Sequence, residues 1–157
     1  MHNLKDMGAY LRAAGGGEFS ATAGGTGDAT EQVGVIVDQT VLNLRSGLAV
    51  LFGEADLADG ETLSMLIKIE HGNIANLSDK ADYDFGGDPG SLGVIATGAT
   101  AVSVADIELA AAIRIDLTGV KRYWRVAVTP THSAGSTDVS AGAYGVVAAG
   151  EFSPQTA

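Results

Sequence analysis

The chain has 157 residues, a formal net charge of −10 from 19 acidic and nine basic residues, and no cysteine. That length suits one domain with a real core, the charge repels nucleic-acid phosphate and anionic membrane, and the missing thiols exclude disulfides, thiolate chemistry and Cys-based metal sites. Hydrophobic residues at 46% exclude general disorder, and 22 glycines among abundant Ala, Val, Leu and Ile suit short strands broken by turns.

Residues 1–30 differ from the rest. Leu4, Met7 and Leu11 fall at i, i+3 and i+7, the spacing of one short helix, which Ala14-Gly-Gly-Gly17 would stop. Phe19 to Thr30 is rich in Gly, Ala, Ser and Thr. The segment reads as an N-terminal arm, with a disordered terminus or a first edge strand as the alternatives. No apolar run approaches the ~20 residues of a membrane helix. No apolar h-region follows Lys5 and Arg12, so no secretory signal is expected.

Strand patterns follow at short intervals. Gln32–Gln39 is a Val/Ile run, and Leu48–Phe52 is an apolar run closed by Gly53. Thr62–Glu70 alternates, with Leu63, Met65, Ile67 and Ile69 on one face and Ser64, Lys68 and Glu70 on the other; Leu66 interrupts the polar side. Leu92–Thr97 and Ala101–Val104 come next. Ile107–Leu117 alternates through Ile107, Leu109, Ala111, Ile113, Ile115 and Leu117. Its Ala-rich centre tolerates a helix, but the period of two favours a strand. Arg122–Thr129 and Ala143–Ala149 complete about eight strands, joined by turns such as Ala58-Asp-Gly60 and Gly86-Gly-Asp-Pro-Gly90. The fold expected is all-β, an antiparallel β-sandwich or jelly roll over residues 31–152, with the arm before it and a short tail at 153–157.

Ile113–Pro130 is the most informative segment. It reads as a hairpin, and it holds the only Trp and four of the nine basic residues. Basic and aromatic residues mixed as in Lys121-Arg-Tyr-Trp-Arg125 serve nucleic-acid sheets by stacking and phosphate contact. Trp124, however, is in phase with Val126 and Val128, which favours a core Trp flanked by cations that pair with the chain's acids.

The remaining chemistry is sparse. Gly15-Gly-Gly17 and Gly24-Gly-Thr-Gly27 lack the phosphate-loop spacing and its Lys, and read as flexible or turn glycines. Asp79, Asp82, Asp84 and Asp88 crowd one loop and are weak candidates for a hard cation. The twelfth position counted from Asp82 is Gly93 rather than Glu, so the loop is no EF-hand and a solvated acidic loop is favoured. Asp56 and Asp59 form a smaller group read the same way. His2, His71 and His132 share no zinc-ligand spacing. Ser133 and Ser136 lie near His132, but no nucleophile elbow surrounds them. Glu70 and Glu108 are expected to face solvent. No enzyme activity, cofactor or metal is predicted.

Leu63-Ser-Met-Leu-Ile-Lys-Ile-Glu-His71, Ile115-Asp-Leu-Thr-Gly-Val-Lys-Arg-Tyr-Trp-Arg-Val126 and Ala143-Tyr-Gly-Val-Val-Ala-Ala149 together resemble segments of small structural proteins of tailed bacteriophages. These include capsid decoration (cement) proteins of β-sandwich or jelly-roll type. The resemblance covers roughly residues 60–150 and carries no active-site signature. It implies a non-enzymatic virion protein on the capsid exterior, a homotrimer that clamps subunits of the major capsid protein, with no nucleic-acid or membrane partner. In that setting Leu4, Met7, Tyr10 and Leu11 are the apolar anchors expected of a capsid-binding arm. Two other readings stand beside it. One is a different virion component, such as a head-completion or tail protein. The other is a carbohydrate-binding β-sandwich module, which one Trp, four Tyr and four Phe supply only thinly.

Overall fold

A computed structural model of the chain describes residues 11–84, 91–97, 106–133 and 137–150. Ten strands lie in this portion: β1 Leu11–Thr22, β2 Gln32–Val33, β3 Val37–Asp38, β4 Leu44–Asp56, β5 Thr62–Gly72, β6 Ala81–Tyr83, β7 Ser91–Thr97, β8 Asp106–Asp116, β9 Tyr123–His132 and β10 Val139–Gly150. One helical turn, α1 Gln39–Leu42, separates β3 from β4. The strands form two antiparallel sheets. The first runs β1-β10-β4-β8; in the second β9 pairs with β2, β3 and β5, and β5 carries β6 and β7 on its far edge. The fold is a β-sandwich.

The alternation read from the sequence determines which residues meet between the layers. Leu63, Met65, Ile67 and Ile69 of β5 point inward beside Trp124, Val126 and Val128 of β9. From the first sheet come Phe19, Ala49, Leu51, Leu109, Ile115, Tyr144 and Val146, and all belong to one buried cluster. A side-chain period of two places each such set on a single face of its strand. β8 is a strand despite its alanines, because its odd positions are needed by this core and its even positions face out.

Trp124 is fully buried and donates from its indole nitrogen to Gln39 Oε1 at 3.1 Å. Its ring fits against the bulge in β1. There Gly15 adopts φ +65°, and a Cβ on it would stand 3.0 Å from the indole. Gly34 lies against the same bulge, where a Cβ would come within 2.4 Å of Gly15 O. Its N–H goes to Val126 of the second sheet, while the next N–H, that of Val35, goes to Gly16 of the first. The Gln32–Gln39 run is therefore two short strands rather than one, broken where the backbone ties the two layers together.

Two expectations are corrected here. Ile113–Pro130 is not a hairpin: β8 pairs with β4 in one sheet, and β9 pairs in the other. The turn between them crosses the sandwich. Leu117 N–H holds Arg45 O on the first sheet, while Gly119 and Lys121 N–H hold Tyr83 Oη and His71 Nδ1 on the second. Alternation identifies a strand but carries no information about its partner. Residues 11–22, assigned to an arm, form edge strand β1, with ten register pairs to β10. Residues 23–30 are a turn held by Asp28, whose carboxylate accepts from Gly24 N–H and His132 N–H. Leu4, Met7 and Tyr10, the Ala101–Val104 run and the 153–157 tail lie outside the described residues, and Leu11 opens β1 rather than ending a helix.

Trp124→Ala should lower unfolding stability by about 3–5 kcal/mol, the usual cost of emptying a large aromatic site. Gly15→Val should also destabilise, by at least about 1–2 kcal/mol for the left-handed backbone alone. Urea unfolding followed by Trp fluorescence for the second variant, and by circular dichroism for both, measures these losses.

Candidate functional site

The outward faces of the two sheets differ sharply. On the second sheet Glu70 is only 1% exposed although it projects outward from β5. Arg125, directly across the ladder, donates from Nε to Glu70 Oε2 at 2.7 Å. Lys80 bonds the other carboxylate oxygen, and Lys68 lies 3.6 Å from it. Glu31 pairs with both lysines and Asp82 with Lys68. Burial alone would raise the Glu70 carboxyl. The hydrogen bonds from Lys80 and Arg125 outweigh it and hold the group below the ordinary carboxylate range. The expectation that Glu70 faces solvent is thus overturned by three cations that close over it. Glu108 is exposed, as expected.

The candidate residues of the acidic loop do not converge. Asp79 accepts from Asn73 and Ile74 N–H and closes its own turn, which lowers its pKa. Asp82 pairs with Lys68, Asp84 is exposed, and Asp88 lies outside the described residues. No group of three or more His, Asp and Glu able to hold a metal occurs among the described residues. The Lys121–Arg125 cations turn to protein acids: Arg122 pairs with Asp38 at 3.1 Å and stacks over Tyr123, and Arg125 holds Glu70. His132 ends β9 with its ring buried and Nδ1 3.3 Å from Asp28. Ser133 turns the other way and donates to Glu61 at 2.5 Å, so the two make no nucleophile–base pair.

The first sheet presents a different surface. Its outward positions include Ala13, Glu18 and Ser20 on β1; Ala141, Ala143, Gly145 and Val147 on β10; Leu48, Val50, Phe52 and Glu54 on β4; and Glu108, Ala110, Ala112 and Arg114 on β8. On β10, β4 and β8 the centre is apolar. Phe52 is 59% exposed and Leu48 42%. Small residues beside them keep the face low and open a groove of about 480 Å³, whose lining includes Ala13, Gly16, Val35, Val50, Gly145 and Val147. Charge enters from the edge strand, where Glu18 lies beside Ala143 in the row of Phe52, and toward the ends, with Glu54 directly opposite Glu108, Asp56 opposite Asp106 and Arg114 opposite Leu48. An antiparallel strand with one wet face normally alternates apolar and polar. Leu48-Ala-Val-Leu-Phe52 and Ala110-Ala-Ala112 do not, and that lapse is the signal in the sequence for an apolar outer face.

No protein-family model matches the chain, and no curated protein matches it. Among solved structures it is similar to the VP2 subviral particle of infectious bursal disease virus, with a TM-score of 0.45 and 13% identity. It is also similar to structures of the Gx strain (TM-score 0.42, 14% identity) and the Gt strain (0.38, 14%) of that virus. These alignments cover 92%, 92% and 88% of this chain, but the chain spans only 34%, 32% and 33% of the length of those proteins.

Glu70→Gln should cost about 2 kcal/mol, less than the loss of a fully buried partner, because Lys80 keeps access to water. A lowered carboxyl pKa contributes stability above its unfolded value and loses it as pH falls through the folded one. Wild type and variant should therefore differ most near neutral pH and converge in acid, as measured by urea midpoints at several pH values.

Proposed function

We propose that the chain is a structural virion protein that acts by packing against other protein, on the exterior of a tailed-phage capsid and against its major capsid protein. The carrying observation is the outer face of the first sheet, an apolar surface centred on Phe52 and held on a rigid antiparallel frame. Exposed apolar residues that lie side by side, as Leu48 and Phe52 do on β4 beside the alanines of β8 and β10, mark interaction sites. The choice of partner draws support from the resemblance of residues 60–150 to decoration proteins.

The attachment arm in this reading is residues 1–10, with Leu4, Met7 and Tyr10 as anchors. It precedes Leu11, where β1 enters the sandwich edge. A segment that orders on binding adds contact area at an entropic cost. Many copies on one shell then multiply a modest contact.

Truncation has to stop before Leu11, since a deeper cut removes β1 and part of the core. A chain starting at Leu11 should unfold like the full chain but co-sediment with phage capsids at least about tenfold more weakly. Undiminished co-sedimentation would exclude the arm, and a full-length chain that ignores capsids would exclude the function.

A further inference from the structure

We infer that His71 is an acid-sensitive latch on the turn between β8 and β9. Neutral, its imidazole ties that turn to the second sheet; protonated, it releases Lys121 N–H and the turn parts from that sheet. The inference rests on the fold and does not depend on what the chain packs against.

The turn joins the two layers. Leu117 at its start is buried, and its N–H bonds Arg45 O at 2.8 Å on the side of the first sheet. Further on, Gly119 N–H bonds Tyr83 Oη at 3.1 Å, and Lys121 N–H bonds His71 Nδ1 at 3.2 Å. Tyr83 and His71 touch each other, with ring centroids 5.0 Å apart and planes at 46°. The hold of the second sheet on this part of the turn thus passes through two side chains in mutual contact, and one of them titrates.

Nδ1 accepts a hydrogen bond only while it is bare. The Lys121 N–H aimed at it places the proton of the neutral ring on Nε2. Protonation puts a hydrogen on both nitrogens and removes the lone pair. The Lys121 N–H then faces another donor, and its bond is lost.

The groups around the ring decide how readily that happens. From the turn comes Lys121, whose ammonium opposes a cation on His71, and from the loop after β5 comes Asp79, which favours one. Asp79 accepts from Asn73 and Ile74 N–H and packs against Gly72, where a Cβ would come within 2.3 Å of its Oδ1. From β6 comes the Tyr83 ring, and from β9 the uncharged Trp124 stands across the ladder. Glu70, Lys80, Asp82 and Arg125 belong to the network on the opposite face of the sheet. Burial, joined by Lys121, outweighs Asp79 and holds the imidazole below its ordinary value. A group whose folded value lies below its unfolded one stabilises the fold above the unfolded value, about 6.5 for histidine, and loses that contribution as pH falls below it.

Amide hydrogen exchange of the full chain, resolved by NMR at about pH 7.5 and about pH 5, tests the latch on both sides of the imidazole range. Protection of the Lys121 amide should fall in acid by about fivefold or more beyond any change in the β4 amides, the size of one lost hydrogen bond. His71→Asn keeps an oxygen near the Nδ1 position and does not titrate, so it should remove that difference. His71→Phe keeps a ring against Tyr83 but offers no acceptor, so Lys121 should be poorly protected at both pH values. The imidazole nitrogen shifts of the wild type near neutral pH should show a bare Nδ1. A proton on Nδ1 would overturn the inference. So would wild-type Lys121 protection that merely follows the β4 amides, or an acid dependence that survives in His71→Asn. The wild-type measurements need no substitution, so the inference can fail even if neither variant folds.

Discussion

Trp124 is the side chain to which the rest of this sandwich is fitted. It projects from β9 into the space between the layers, and its size dictates what can stand opposite. The facing strand yields by bulging: β1 slips register between Ala14 and Gly17 and puts Gly15 in a left-handed conformation against the indole. The indole N–H needs an acceptor once it is out of water, and α1 supplies one through Gln39. Asp38 caps that turn with its carboxylate and pairs with Arg122, two residues before Trp124. The Trp, the bulge, the helical turn and Arg122 of the basic cluster are therefore parts of one packing solution.

The second tie between the layers is polar. Tyr144 reaches from β10 to donate its hydroxyl to Gln32 O at 2.9 Å, and burial pushes its pKa up to about 12. At the far end Asp28 and His132 fasten the 23–30 turn to β9. Burial would raise the Asp28 carboxyl, yet the N–H groups of His132 and Gly24 hold it below the ordinary range. Hydrogen bonds thus tie the layers at both ends, which favours the preorganised surface that docking requires.

On this frame, the two outer faces carry different chemistry. The second sheet satisfies itself: Glu70 is enclosed by Lys68, Lys80 and Arg125, and the network extends to Glu31 and Asp82. Its charges are committed to one another, which leaves little for a partner to read. The first sheet leaves an apolar centre on β10, β4 and β8, with charges on its edge strand and at its ends. The functional reading rests on this asymmetry, because it distinguishes a finished surface from an unfinished one.

Much of the fold was legible in the sequence. The period-two rows of β5, β8 and β9 named their inward residues, and the phase of Trp124 with Val126 and Val128 placed it in the core. Local periodicity suffices for this because it depends only on the backbone geometry of a single strand. What a strand pairs with is decided by contacts far apart in the chain. Hence Ile113–Pro130 looked like a hairpin yet straddles two sheets, and residues 11–22 looked like a flexible arm because their glycines serve a bulge that Trp124 creates. The burial of Glu70 depends on Lys80 and Arg125, ten and 55 positions away, brought together by pairing. The candidate face left only a faint local trace, the unbroken apolar run at Leu48–Phe52. Whether such a run is covered on one side or both is a property of the layers, and only the tertiary structure decides it.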